Sequence, residues 1–228
     1  MAKGWFITIE GGEGGGKSTQ AGRLAMRLRD SPHEIVLTRE PGGAPGAELI
    51  RDLLVNGPPD RWSPMAEALL FFAARDEHIR KTIRPALARG AVVICDRVID
   101  SSRAYQGVAG KLGAKVITQL EEMVVGDCIP DLTLVLDLPF QQGIDRTMAR
   151  ASGEDRFELK AAQFHENLRT TFLTIAIRDP QRCVVIDAGE PIDTVAGIIW
   201  QQVRTRLPDI FSTQQDQPGR RRAGQHNG

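Results

Sequence analysis

The chain has 228 residues, with Lys plus Arg and Asp plus Glu at 29 each and no formal net charge. Hydrophobic residues make up 41% and charged ones 25%, which excludes a wholly disordered or fibrous chain and points to a globular fold with a sizeable core. Without a cationic excess, a surface that tracks nucleic acid is not expected.

Trp5 to Ile9 is a short, apolar, β-prone run that Gly11 to Gly16 interrupts. From Ser18 onward, Ala21, Leu24, Ala25 and Leu28 fall on one helical face. Ile35 to Leu37 predicts a second strand. Leu49, Ile50, Leu53 and Leu54 predict a helix that begins near Ala47 and ends before Pro58-Pro59. Glu67 to Leu87 reads as a long helix, bent or broken near Pro85. Val92 to Cys95 is a third strand, and Val116, Ile117, Leu120, Met123 and Val124 mark a further helix. Leu132 to Leu138 and Val184 to Ile186 predict the fourth and fifth strands, with a closing helix from Ile192 to Leu207.

This alternation of near-continuous apolar strands with helices implies a parallel sheet covered on both faces. Ligands of such sheets lie beyond the carboxyl ends of the strands. Glu10, Arg39, Asp96, Asp137 and Asp187 each follow or end a predicted strand, so the chemistry is expected on that charged rim. One domain is expected over 1–211. Ser212 to Gly228 lacks large apolar side chains and reads as a disordered tail, its Arg220 to Arg222 solvated. No apolar run approaches the roughly 20 residues that span a bilayer. The N-terminus lacks the pattern of a signal peptide, and three scattered cysteines suit inert thiols in a reducing cytoplasm.

Gly11, Gly12, Glu13, Gly14, Gly15, Gly16, Lys17 and Ser18 spell G-x-x-x-x-G-K-[ST] between a strand and an amphipathic helix. Glycines let the backbone N–H groups converge on phosphate oxygens, and the helix that follows adds its positive end. Lys17 is expected to reach the β- and γ-phosphates, Ser18 to ligate Mg²⁺, and Thr19 to stand beside them in ATP binding. Asp96, closing an apolar strand, is the second expected Mg²⁺ ligand, directly or through water. The fold expected is a three-layer α/β sandwich of the P-loop NTPase kind, a five-stranded parallel sheet flanked by helices on both faces. The chain has no Asn-Lys pair, and its only Asp-x-x-Gly falls in the tail, which disfavours a GTPase switch.

Further motifs follow. Ile9 to Glu13 runs into the loop, Thr38-Arg39-Glu40-Pro41-Gly42-Gly43 follows the second strand, and Leu70 to Arg75 lies on the long helix. Asp96-Arg97 leads into Ser101-Ser102-Arg103-Ala104-Tyr105-Gln106-Gly107, the most specific string of all. From about Trp5 to Leu207 the chain resembles the thymidylate kinases. The resemblance implies transfer of the γ-phosphoryl of ATP to dTMP, giving dTDP, with Mg²⁺ as cofactor and a homodimer as the usual assembly. Apolar helix faces such as Val116 to Val124 are candidates for the interface.

The resemblance places Glu13 near the acceptor's 3′-hydroxyl and the reaction centre, and gives Arg51 and Arg97 the acceptor phosphate. A bidentate guanidinium suits that task. It places Tyr105 against the sugar's 2′ position and lets Gln106, Ser101 or Ser102 reach the base. Phe71 and Arg75, four apart on one helix face, suit stacking on thymine and donation to its O4. Phe72 is expected in the core. Arg39 and Glu40 line the acceptor side, although Glu40 equally suits a structural turn. Positions 12 to 15 carry no arginine, as in family members that supply a catalytic arginine from a lid. The lid is expected over about 146–158, with Arg150 ranked ahead of Arg156 as the catalytic arginine. The Asp187 to Glu190 loop is a plausible adenine wall. Two rivals are another small-molecule kinase of this fold and a module that binds ATP without transferring phosphate. Intact Lys17, Ser18, Asp96 and Arg97 argue against the module.

Overall fold

A computed structural model describes residues 4–58, 60–148 and 162–212. Five strands run in parallel: β1 (Trp5–Gly11), β2 (Ile35–Arg39), β3 (Val92–Asp96), β4 (Leu132–Asp137) and β5 (Cys183–Asp187). Their spatial order is β2-β3-β1-β4-β5. All five lie where the apolar runs predict them. The central β1 is buried along its whole length, whereas the edge strand β2 is half-buried.

Side chains alternate between the two faces of the sheet, as the pleat requires. Ile7, Ile9 and Ile94 pack on one face with Leu24 of α1 (Lys17–Arg27) and with Leu28 directly after it. Phe6, Val93 and Cys95 serve the opposite face. Helices α2 (Pro45–Val55), α3 (Pro64–His78), α4 (Arg84–Ala88), α5 (Ile99–Ser102), α6 (Ala114–Val124), α7 (Phe140–Met148), α8 (Ala162–Arg178) and α9 (Ile192–Arg206) complete the described set. Ile199 and Val203 of α9 join the α1 side. Phe72 of α3 and Ile117 of α6 join the other. Full burial of each such side chain contributes about 1.5–3 kcal/mol.

Three local expectations change. The long helix is not broken at Pro85. Instead α3 widens into a π-helical segment, Ile79–Ile83, before α4. Proline lacks an N–H and crowds the carbonyl four residues back, and the wide turn upstream absorbs that conflict. Helix α2 starts at Pro45, since a first-turn proline loses no hydrogen bond. Only Leu54 of the expected α2 face is fully buried, while Leu49 is 73% exposed and Leu53 39%. Helix α5 and the π-helical segment Arg103–Ala109 that continues it were not foreseen.

Of the expected lid only Arg146 to Met148 are described. Arg150, Arg156 and the tail beyond Ser212 lie outside the described residues. Among the described residues no helix is long and apolar enough to cross a membrane.

A buried ion pair ties the helical side of the sheet together. Arg182 Nη1 donates to Asp100 Oδ2 at 2.6 Å and to Thr133 Oγ1 at 2.7 Å, and Arg103 Nη1 donates to Asp100 Oδ1 at 2.9 Å. Asp100 is fully buried. Arg182→Met should therefore destabilise the fold by about 3–5 kcal/mol, because it leaves the buried carboxylate with the more exposed Arg103 as its one remaining cation. Urea unfolding of the single variant and of Asp100→Asn/Arg182→Met checks this, and the double variant should recover much of the loss.

Candidate active site

The phosphate loop leaves the end of β1 and enters α1 at Lys17. Gly14 and Gly16 take left-handed conformations, with φ of 71° and 80°. A Cβ on Gly14 would also stand 2.3 Å from the carbonyl oxygen of Gly143, so glycine is required there twice over. Lys17 Nζ donates across the loop to the Gly12 carbonyl at 2.5 Å. The Ser18 hydroxyl donates to Asp96 Oδ2, while Asp96 Oδ1 is buried without a protein partner. Thr19, by contrast, is exposed on α1 and does not line the adjoining cavity.

That cavity has a volume of about 280 Å³ and opens at the carboxyl ends of β1, β2 and β3. Every residue expected to meet the acceptor lines it: Glu13, Arg39, Arg51, Phe71, Arg75, Arg97, Ser101, Ser102, Tyr105 and Gln106. Phe72, one residue from Phe71, faces the core.

Arg97 organises the floor. Its backbone is left-handed, φ 68°, a strained state for a non-glycine residue. Glu10 holds the strand exit in place by accepting from Val98 N–H at 2.8 Å and from the Ser101 hydroxyl at 2.6 Å. The Arg97 guanidinium donates to the Gly11 carbonyl at 2.9 Å, lies 3.4 Å from Glu13 Oε1, and sits 4.9 Å from the Tyr105 ring centre. The Tyr105 hydroxyl donates to the same Glu13 oxygen at 2.5 Å. Burial pushes Glu13 up, but His165, Arg97, Lys17 and Tyr105 together hold it down at about 2. Glu13 is thus a fixed negative charge and a poor proton acceptor near neutrality. Burial, with the charge of Asp100, raises Glu10 to about 7.

The end of the cavity beside α3 is also built from buried polar groups. Arg75 is 1% exposed. Its Nε donates to Glu40 Oε2 at 2.7 Å and its Nη2 to the Val98 carbonyl at 2.8 Å. Its Nη1 and the Ser102 hydroxyl are buried with no protein partner. Ser101, in contrast, is engaged by Glu10. Gln106 Nε2 donates to Glu67 Oε1 at 3.0 Å, which turns the amide oxygen of Gln106 away from Glu67. Arg51 Nη1 donates to the Pro41 carbonyl at 2.7 Å, and Arg39, half exposed, reaches Glu48 at 3.1 Å. Arg146 donates to the Ala188 carbonyl at 2.8 Å, beside the expected adenine wall.

Sequence reasoning missed several partners. Glu40 is not merely a turn residue, because it is buried between Arg75 and His78. His78, His165 and Glu67 carried no motif. The one available signal was a glutamate, Glu10, ending an otherwise apolar strand.

The sequence model described as thymidylate kinase matches residues 9–199. The thymidylate kinase of Caulobacter vibrioides is 57% identical over 91% of this chain and 99% of its own length. That of a Bradyrhizobium strain, BTAi1, is 50% identical over 90% of this chain and 92% of its own. The crystal structure of thymidylate kinase from Ehrlichia chaffeensis superposes with a TM-score of 0.72 at 34% identity, covering 89% of this chain and 99% of that one. The chain belongs to the thymidylate kinase family. Its activity is that of a kinase, phosphorylation of dTMP to dTDP at the expense of ATP. The fold is shared too, a parallel sheet between helical layers.

Burial and the charge of Arg97 lower the Lys17 ammonium to about 8, against the pull of Asp96, Glu13 and Glu10. Phosphates of a bound nucleotide favour the charged form. Binding above pH 8 must therefore take up a proton, and affinity should fall by up to about tenfold per pH unit. Titration calorimetry with ATP at pH 8.5, in buffers of different ionisation enthalpy, should show net proton uptake that Lys17→Arg abolishes.

Proposed function

We propose that the 280 Å³ cavity seats dTMP and that ATP-Mg²⁺ lies along the phosphate loop. The observation that carries this reading is the gathering of cations, an aromatic face and unpaired buried polar atoms at one strand-end cavity. Arg97 and Arg51 take the acceptor phosphate. Phe71 stacks on thymine, and Arg75 Nη1 donates to its O4. Ser102, whose hydroxyl has no protein partner, reaches the base in preference to Ser101. Tyr105 packs on the sugar and fixes Glu13 beside the 3′-hydroxyl.

The acceptor phosphate is already ionised near neutrality, so no general base is required. The chain's task is to align two polyanions, neutralise them and keep water out. Lys17 does this at the donor's β- and γ-phosphates. The phosphate loop holds no arginine at 12–15, so the remaining cation comes from the lid at 146–158, with Arg150 ahead of Arg156. Ser18 and the unpartnered Asp96 Oδ1 form an oxygen donor set of the kind Mg²⁺ takes, completed by phosphates and water. When bound, the ion neutralises phosphate charge.

The enzyme unit is 1–211, followed by the tail. Helix α2 packs on α3 and α3 on α6. Together they carry the exposed Leu49, Leu53, Met65, Leu69 and Met123. Exposed apolar side chains on helices that pack together support a homodimer, as does the family resemblance. Three buried free thiols suit a cytoplasmic setting.

A coupled ADP-release assay across nucleoside monophosphates should show turnover on dTMP well above AMP or CMP. Full activity on AMP or CMP with none on dTMP would sink the reading. In the same assay Arg97→Ala should lower kcat/KM for dTMP by at least about tenfold, the loss of one charge-assisted pair. In light scattering the chain should run at twice its 25.0 kDa mass. Leu49→Glu should shift it to the monomer.

A further inference from the structure

Most of the buried polar groups near the base end belong to one connected set. The Thr38 hydroxyl meets His78 Nε2 at 2.7 Å, His78 Nδ1 meets Glu40 Oε1 at 3.1 Å, and Arg75 Nε donates to Glu40 Oε2 at 2.7 Å. His78 is 0% exposed, Glu40 5% and Arg75 1%. Because a carboxylate only accepts, His78 Nδ1 donates to Glu40, while Nε2 on the far side of the ring is held by the Thr38 hydroxyl. Glu40 thus accepts from His78 on one oxygen and from Arg75 on the other. Burial pushes the Glu40 carboxyl up, but Arg75 and His78 outweigh it and hold it below the usual range.

The surroundings leave this set little freedom. A Cβ at Gly43 would lie 2.3 Å from His78 Nε2 and 2.4 Å from Thr38 Oγ1. The Thr82 hydroxyl donates to the Gly43 carbonyl at 2.6 Å. Thr82 sits in the widened segment that begins directly after His78, so the last residue of α3 and the segment that follows it supply one contact each to the 40–43 turn. With Nε committed to Glu40 and Nη2 to the Val98 carbonyl, Nη1 is the edge of the guanidinium left over, buried and unpaired.

We infer that His78 and Glu40 are positioning residues that make Arg75 a filter for the base, presenting Nη1 as a fixed donor to a ring carbonyl. A pyrimidine carrying an amino group at that place meets donor against donor, and one carrying only hydrogen leaves the buried N–H unpaired. Both are disfavoured because the guanidinium cannot turn away while Glu40 grips its Nε. Neither residue needs to touch the substrate. This inference rests on the seating of the base at Arg75 proposed above.

The test compares kcat/KM for dTMP with that for the same nucleotide lacking the 4-carbonyl, across four variants. The wild-type ratio should exceed about tenfold, as expected of a site built around one buried donor. His78→Gln loses the Nδ1 donor, and Glu40→Gln loses the charge. Both should bring the ratio to within about threefold of unity, raising KM for dTMP more than they lower kcat and leaving KM for ATP unchanged. His78→Asn returns an N–H near the Nδ1 position and should restore most of the ratio. Thr38→Val removes only the anchor of Nε2, and it serves if the other variants fold poorly. It should lower the ratio by about threefold, the loss of one net hydrogen bond. A ratio that stays at the wild-type value in the variants, whatever their melting temperature, overturns the inference and leaves the base site standing. A wild-type ratio near unity overturns both.

Discussion

The site depends on where the chain leaves β3. Arg97 follows Asp96 in a left-handed backbone conformation, with φ of 68°, and its N–H bonds to the carbonyl of Ile9 on the neighbouring strand. That single strained residue points a guanidinium back over the phosphate loop and turns the following helix so that Ser101, Ser102, Tyr105 and Gln106 line the same cavity. The strain is offset locally, because Glu10 collects the Val98 N–H and the Ser101 hydroxyl. Strand order explains why this happens here. β1 has β3 on one side and β4 on the other, and the crevice of an open α/β sheet forms where the order reverses.

A cationic cavity made from a neutral chain requires carboxylates as well as arginines. Left alone, Lys17, Arg75 and Arg97 would repel each other and resist burial. Glu13, Glu40 and Glu10 therefore lie among or beneath them. They neutralise part of the charge and also aim it. Glu13 is gripped by Tyr105, and Glu40 grips Arg75. Among the buried polar atoms that remain unpaired, Arg75 Nη1, Ser102 Oγ and Asp96 Oδ1 are the ones that the proposed seating gives to a base and a metal-bound nucleotide. Buried polar atoms are rarely left open without such a reason.

Motif-bearing residues were the legible part of this site. The phosphate loop shows itself because a backbone that curls around phosphate needs glycines at set intervals. The five strands show themselves because burial on both faces demands unbroken apolar runs. Residues that act through another side chain were not legible. His78 and Glu67 sit on α3 at ordinary helical positions, and nothing in their neighbours' identities marks them. Their partners, Glu40 and Gln106, lie 38 and 39 residues away. The exposed Leu49 and Leu53 mislead in the opposite way, since periodicity reports an apolar face without saying what covers it.

By itself, then, the sequence determined the parallel sheet, the phosphate loop and the set of side chains that come to the strand-end cavity, because each depends on local composition or on a short fixed spacing. Tertiary structure alone decided which polar atoms are spent and which remain free. It assigned Ser101 to Glu10 and left Ser102 open, and it drew Glu40 from a turn into the grip on Arg75. It also moved the irregularity of the long helix from Pro85 to Ile79–Ile83. The physical reason is the same in each case. A hydrogen bond in a buried site is settled by competition among groups far apart in the chain, and only their final arrangement in space decides which donor meets which acceptor.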